Sequence, residues 1–600
     1  MYQYTDFDKR FVKERATQYR DQLERNLSGR LSDDEFRPLR LQNGWYVQRY
    51  APMLRVAVPY GELNSAQLRV LATIARDYDT PEPGLFERAQ NTQDAIGGIP
   101  APALTKNYAH FTTRQNLQYN WIPLHKSADV MDLLASVNMH GIQTSGNCIR
   151  NITSDERAGV AVDEIVDPRP FAEILRQWST LHPEFAFLPR KFKIAISGAL
   201  EDRAATAWHD VGLHVQRNAA GEVGFRVMVG GGMGRTPITA SVIREFLPWN
   251  QILNFLEAVV RVYNRWGRRD NIYKARIKIL VKAEGPRYKE EVEAEYQRIL
   301  TQDGAPHTIT QAEFDRVKAN FAAPVLAAQT TLSAEAVHQQ LTQTADQNKD
   351  FARWLQQNVA VHRNPHLRVV TLSFKRLGQA PGDATADQLD AAAVLADRFS
   401  SGEARVSHDQ NLVLPWVAAQ DLPALYEQAK ALGLAKPNVR MLTDMIACPG
   451  GDYCSLANAR SLPVSAAISE RYQDLDELFD LGEIDLHISG CINSCGHHHS
   501  GHIGILGVDK DGKEWYQITL GGSDGSTLSG APKAGKVVGP SFSSAEVVDV
   551  IEAVLQVYTE QRHHGESFID AVNRIGIEPF KIAANAARHS SDDEALSTID

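Results

Sequence analysis

Cysteine is scarce in this chain: there are five in 600 residues. Four of the five nevertheless form two tight pairs, Cys448 with Cys454 and Cys491 with Cys495, inside one short region. Cysteines scattered through a fold for packing would not cluster in this way. Basic charge is in deficit too. The 63 Lys and Arg against 73 Asp and Glu leave a net charge of -10, which excludes a nucleic-acid binder that works by neutralising phosphates. The N-terminus, Met-Tyr-Gln-Tyr-Thr-Asp-Phe-Asp-Lys-Arg, lacks the apolar core of a secretory signal. Long apolar runs are missing as well. The most apolar helical stretch, 246–263, carries Asn250, Asn254, Glu257 and Arg261, which a membrane span would not tolerate. These absences predict a cytoplasmic protein with neither a membrane nor a nucleic-acid partner. In a reducing compartment, clustered cysteines point to metal or redox chemistry rather than to a disulfide.

What is present is ordinary globular material, 43% hydrophobic and 23% charged, and long enough for three or more domain-sized units of roughly 100–200 residues each. An amphipathic helix is expected from Asp8 to Leu27. Residues 53–58 (M-L-R-V-A-V) read as a strand ending at the Pro59-Tyr60-Gly61 turn. Residues 65–78 read as a helix with Leu68, Leu71, Ala72 and Ile74 on one face. Between Thr80 and Lys106, Pro81, Pro83, Pro100 and Pro102 with Gly84, Gly97 and Gly98 mark an inserted loop.

The second half repeats the first. Gln388-Leu389 opens a helix as Gln67-Leu68 does. Arg114-Gln115-Asn116-Leu117 returns as Asp409-Gln410-Asn411-Leu412, Ile196-Ser197-Gly198 as Ile488-Ser489-Gly490, His209 as His502, and Gly230-Gly231 as Gly521-Gly522. Past the insertion the offset is nearly constant at about 290–295 residues, which marks a duplicated domain and not a solenoid. Two copies of a strand-helix-strand unit, each followed by an α/β unit, give pseudo-twofold symmetry with a cleft between the halves. The implied boundaries are an N-terminal arm (1–47), a first half-domain (48–125, insertion 80–106), an α/β domain (126–300), a linker (301–362), a second half-domain (363–433), a second α/β domain (434–545), and a C-terminal helix and polar tail (546–600). The tail reads as disordered from Ser590 onward.

Two thiol pairs suit Zn²⁺ or an iron-sulfur cluster, since both take four thiolates. Structural zinc favours C-x₂-C, whereas the pairs here are C-x₅-C and C-x₃-C, so spacing favours the cluster without excluding zinc or unrelated buried thiols. The Pro449-Gly450-Gly451 turn frees backbone beside the first pair for close approach to a cofactor.

Taken together, the two cysteine pairs, the duplication, T-T-R-Q-N (112–116), N-C-I-R-N (147–151) and L-P-R-K-F-K (188–193) resemble the sirohaem-containing sulfite and nitrite reductases, the assimilatory sulfite reductases above all. The resemblance spans about residues 40–560. It implies an α+β fold, internally duplicated, with ferredoxin-like half-domains and two α/β domains. It also implies a [4Fe-4S] cluster on Cys448, Cys454, Cys491 and Cys495, with Cys495 bridging to the sirohaem iron. Arg55, Arg150, Lys191 and Lys193 match residues that hold the substrate. Arg114, with Gln115 and Asn116, matches residues that hold macrocycle carboxylates, and Arg150, Lys191 and Lys193 face the cofactor as well. Sirohaem carries eight carboxylates and sulfite is a dianion, so both call for cations. Lys191 and Lys193, two apart in an expected strand, share a face and can donate protons. Arginine offers a planar fork for two oxygens.

The duplication sharpens this reading, because Asp409 replaces Arg114 in the second copy and Glu483 and Asp485 align with Lys191 and Lys193. Basic residues in one half and thiolates in the other suit a single asymmetric site at the interface. Other signals are weaker. The Gly230–Arg235 loop reads as a tight turn rather than a phosphate loop. His497, His498, His499 and His502 read as hydrogen-bonding or solvent-facing groups. Cys148 reads as a buried free thiol, with a thioether to Tyr50 as the alternative. The expected reaction is sulfite reduction to sulfide for cysteine synthesis, with nitrite reduction to ammonia as the alternative and a non-catalytic zinc-stabilised protein as a distant one. Lys193 favours sulfite, because nitrite-type relatives usually carry asparagine there. No flavin or nicotinamide domain is visible, so electrons are expected from an external NADPH-dependent flavoprotein or a ferredoxin.

Overall fold

The computed structural model describes residues 1–87, 105–321, 324 and 333–588. Most of the 80–106 insertion and the tail beyond Arg588 therefore lie outside the described residues. The described residues form a mixed α+β fold of four sheets.

The matching helices, Ser65–Asp77 and Ala386–Phe399, start for the same local reason. Asn64 and Thr385 accept from the backbone N–H of Gln67 and Gln388, and each glutamine amide oxygen accepts from the cap N–H in return. Leu68, Leu71, Ala72 and Ile74 bury the inner face of the first helix, and Leu389, Ala392, Ala393 and Leu395 that of its counterpart.

Neither half closes its own sheet. In the first half-domain, Trp45–Val47, Pro52–Val56, Leu117–Tyr119 and Tyr108–Phe111 are completed by Asp383–Thr385 from the second half. In the second, Val359–Val361, Leu367–Leu372, Leu412–Ala418 and Glu403–Val406 are completed by Glu62–Asn64 from the first. This reciprocal exchange fuses both half-domains around one hydrophobic core that includes Leu71, Phe111, Leu389 and Leu414. The α/β units repeat each other too. Thr153–Ser154, Ile194–Ser197 and Val211–Arg217 run parallel and continue into antiparallel Val223–Val229 and Ser241–Pro248. Ile446–Ala447, Leu486–Ser489 and Ile503–Lys510 run parallel and continue into antiparallel Lys513–Leu520 and Lys536–Val537.

The repeated glutamines lock the halves together. Gln115 Nε2 donates to Val406 O at 3.1 Å and its Oε1 accepts from Ser154 N at 3.0 Å. Its mate Gln410 donates from Nε2 to Phe111 O at 2.9 Å and accepts at Oε1 from Ala447 N at 3.0 Å. Both residues have positive φ, 57° and 61°.

Several elements differ from their sequence outlines. The 246–263 stretch begins as the end of the Ser241–Pro248 strand, because Pro248 lacks the N–H that a continuous helix needs, and the helix spans Ile252–Trp266. The first helix starts earlier, at Asp6, on the Thr5 capping box, and the C-terminal helix spans Val547–Gln561. Between residues 301 and 362 lie the helices Gln311–Ala319, Ala334–Gln347 and Lys349–Asn358. Among the described residues no helix is long and apolar enough to cross a membrane.

Candidate active site between the two halves

A cavity lies where the halves meet. It is lined by Arg55, Arg114, Asn116, Arg150, Lys191 and Lys193 from the first half and by Cys448, Cys495, Asn493 and His497 from the second. Of the sequence-derived site residues, Gln115, Cys454 and Cys491 do not line it. Gln115 is fully buried and its amide is committed to the latch.

Each cation is aimed by local structure. Arg55 sits on Pro52–Val56 opposite Gln118, to which its Nη2 donates at 3.0 Å. Arg114 follows Thr112 in the tight turn between the strands Tyr108–Phe111 and Leu117–Tyr119. Its Nη2 donates to Asn151 O at 2.7 Å, and burial lowers its pKa to about 9. Asn116 anchors that turn, its Oδ1 accepting from Val58 N and Asn151 Nδ2. Arg150 donates to Thr144 O and Gly146 O.

Lys191 and Lys193 precede the strand Ile194–Ser197 rather than lying in it, because pairing there is limited to a single bridge from Phe192 to Ile149. Phe192 is fully buried, so the extended backbone sends both lysines to the opposite face, into the cavity. Burial, reinforced by Arg150 and Arg276 and partly offset by Cys495, lowers Lys191 to about 8. Burial together with Lys191, Arg114 and Arg276 holds Lys193 well below the usual lysine range.

The sequence reading missed the support for these lysines. Asp210, fully buried, accepts from Lys193 N at 2.8 Å and from Arg276 Nη2 at 2.7 Å. Lys278 Nζ donates to the carbonyls of Gly232, Met233 and Thr236, which shapes the glycine loop as a turn with its backbone oxygens gathered on an ammonium. The alternation K-A-R-I-K over 274–278 was the available signal.

On the thiolate side, Cys448 follows Ile446–Ala447, and its sulfur accepts from Gly490 N at 3.3 Å. The Cys454 N–H is tied to Gly450 O at 2.8 Å, Gly450 having φ 57°. Burial and the neighbouring Cys495 push the Cys448 thiol up to about 12, and burial also raises Cys454 and Cys491. No three of the four sulfur atoms lie within 4.8 Å of one another. A single tetrahedral zinc, with bonds near ~2.3 Å, needs them about 3.8 Å apart, closer than they lie. His498 and His499 hydrogen-bond to Ser494 Oγ and Gly234 O, and His502 to Ser529 Oγ. Tyr50 stacks on Trp121, and Cys148 Sγ donates to Ser145 O.

A second cavity between the halves is lined by Asp409 and Asp485, the counterparts of Arg114 and Lys193, together with Glu156, Glu201 and Asp524 and the arginines Arg157, Arg203 and Arg440.

The sequence matches the family described as "Nitrite and sulphite reductase 4Fe-4S domain" over residues 145–300 and 440–589, and the "Nitrite/Sulfite reductase ferredoxin-like half domain" over 372–432. It is 28% identical to "Sulfite reductase [ferredoxin] 1" of Mycolicibacterium paratuberculosis, over 80% of this chain and 78% of that one. It is 26% identical to the "Assimilatory ferredoxin-dependent nitrite reductase" of Haloferax mediterranei, over 86% and 80%. The fold is similar to the Mycobacterium tuberculosis NirA structure, with TM-score 0.71 and 23% identity, covering 96% of this chain and 97% of that one. The cofactors of this family, sirohaem and a [4Fe-4S] cluster, fit the cavity. Arg114 Nη1 and Arg55 Nε are buried without protein partners, as cations awaiting carboxylates would be, and the four cysteines supply the thiolates. On these grounds the chain belongs to the nitrite and sulphite reductase 4Fe-4S family.

Proposed function

We propose that the protein is an assimilatory sulfite reductase of the cytoplasm that reduces sulfite to sulfide with six electrons drawn from a ferredoxin. One observation carries the reading: Lys191 and Lys193 enter, with Arg55 and Arg150, the same cavity that Cys495 enters from the other half. The relatives named as ferredoxin-dependent support a ferredoxin rather than an NADPH flavoprotein as donor.

Bound cofactors supply the low-potential electrons and the open metal position at which a substrate is reduced. The chain would hold them on Cys448, Cys454, Cys491 and Cys495, with Arg114 and Asn116 available to the macrocycle carboxylates. Arg55 and Arg150 offer guanidinium forks to the oxygens of an anion. Lys191 Nζ and Lys193 Nζ add positive charge. Burial and the neighbouring cations lower both pKa values, which eases proton transfer to oxygens leaving as water. Burial makes each of these charges worth more to a dianion than it would be in water.

Nitrite reduction is the second reading, favoured by the similarity to nitrite reductases. Four cations, with Lys193 among them, suit the more highly charged sulfite. The test is anaerobic turnover with reduced methyl viologen and direct sulfide measurement. Six electrons consumed per sulfide formed supports the proposal, and viologen oxidation without sulfide contradicts it.

A further inference from the structure

Neither cavity between the halves includes His182, Glu257 or His307, which meet beside the helix Ile252–Trp266. One ring nitrogen of each histidine and a carboxylate oxygen of Glu257 all lie within 4.8 Å of one another. Three separate segments supply them. His182 caps the turn Pro183–Phe185 that follows the helix Arg169–Ser179, Glu257 is buried on Ile252–Trp266, and His307 precedes the helix Gln311–Ala319. Each is placed by its surroundings. His182 stacks on Phe185 with ring centroids 3.8 Å apart, and His307 N donates to Asn254 Oδ1 at 3.0 Å, one turn before Glu257 on the same helix.

Glu257 is the group that calls for a cation. Its side chain is 2% exposed, and its Oε1 lies 2.5 Å from Arg261 Nη2. Oε2 lies 2.7 Å from His307 Nε2, and the Trp178 indole is close to the same carboxylate, yet among the described residues no donor meets Oε2 in hydrogen-bond geometry. Nitrogen and oxygen therefore sit side by side rather than pointing at each other, as two ligands aimed at a third atom do. Arg261 does not settle the charge, because Glu184, Glu295 and Asp303 share its guanidinium. Burial raises the Glu257 carboxyl above its usual range in spite of His307 and Arg261, the mark of a carboxylate short of positive charge. Burial, with His307 and Arg261, outweighs Glu184 and lowers His182, so its imidazole is neutral and able to coordinate. A metal on either nitrogen of His182 gives up only the bond that Nδ1 accepts from Glu184 N at 3.2 Å, and that N–H is exposed to water.

We infer that His182, Glu257 and His307 form a binding site for one zinc ion, with water in the fourth position. Two imidazoles and one carboxylate suit zinc, whereas magnesium and calcium take oxygen ligands. Bonds of about 2.0–2.1 Å set tetrahedral ligands roughly 3.4 Å apart, between the 2.7 Å of the closest pair and the 4.8 Å limit, so small rotations of the two partly exposed imidazoles complete the shell. His307 lies beyond residues 145–300 matched to the family, so the family's cluster and sirohaem do not account for the triad. The ion clips the segment after residue 300 to the helix Ile252–Trp266 and to the turn at His182, and it stabilises the folded chain as free zinc rises. Zinc binding there is independent of which anion the enzyme reduces.

The test uses protein loaded with sirohaem and cluster, so that the four cysteines are already occupied. Wild type, His307→Gln and the double variant His182→Gln/His307→Gln are stripped with EDTA, equilibrated with about 10 µM free zinc, and assayed for zinc by elemental mass spectrometry. The wild type should hold one zinc per chain more than the double variant, and zinc should raise its unfolding temperature by several degrees but not that of the double variant. His307→Gln alone should bind at least about tenfold more weakly. Both histidines are partly exposed, so the variants should keep the visible sirohaem spectrum, which reports that they fold. Equal zinc in wild type and double variant overturns the site, and a wild type that retains no zinc overturns it whatever the variants do.

Discussion

Thr113 Oγ1 donates to the carbonyl oxygen of Cys495 at 2.9 Å. The bond joins the turn that carries Arg114 to the cysteine that enters the cavity from the other half, so the basic and thiolate sides of the site are fixed to one another and not merely adjacent. The site is therefore only as well ordered as the interface between the two copies.

That interface depends on the glutamine latch. Replacing Gln115 by Leu leaves Val406 O and Ser154 N buried without partners, at about 1–3 kcal/mol each. Thermal unfolding of Gln115→Leu should begin several degrees lower than wild type, and the mate Gln410→Leu should behave alike. An unchanged unfolding temperature in both would show that the latch is not what holds the halves.

Asp210 is the anion that organises the cations. In Asp210→Asn the carbonyl can still accept from Lys193 N, but the buried pairing with Arg276 is lost, a change worth about 3–5 kcal/mol when one partner of such a pair is removed. The variant should retain cluster iron while its kcat/KM for sulfite falls by at least about tenfold. Full activity would mean that Arg276 plays no part in the site.

Lys191 sets an expected pH limit. Its ammonium is charged below about 8 and neutral above, because burial disfavours the charged form. Anion capture needs the charged form, so kcat/KM for sulfite should fall as pH rises through about 8, while Lys191→Met should be low throughout and lack that limb. A profile flat to well above that value in the wild type would contradict the role.

Lys193→Asn tests discrimination between anions. Removing one of the converging cations should weaken sulfite reduction more than nitrite reduction, because the doubly charged anion loses more Coulomb energy. Kinetics on both substrates would check it, and equal losses would remove Lys193 from that role.

Much of the site was legible in the sequence because its chemistry needs rare residues at fixed spacings. Cys448, Cys454, Cys491 and Cys495 stand out in a chain with five cysteines. Arg114 becomes conspicuous once its counterpart is seen to be Asp409. The duplication was legible for the same reason, since Gln115-Asn116 and Gln410-Asn411 do the same structural work in both copies. What was hidden depends on tertiary contact. The exchange of Glu62–Asn64 and Asp383–Thr385 between sheets leaves no local mark, because a strand reads alike whichever sheet it joins. Gln115 was grouped with the cofactor-facing residues by its place beside Arg114, yet a left-handed backbone turns its amide into the interface. Asp210 and Arg276 escaped because neither an isolated carboxylate nor one more arginine is distinctive until the two meet across 66 residues.

The most direct test of the whole account is anaerobic steady-state turnover of the purified holoenzyme with reduced ferredoxin, comparing kcat/KM for sulfite with that for nitrite. The account predicts the larger value for sulfite, with sulfide as product. A much larger value for nitrite, with ammonia as product, would contradict it.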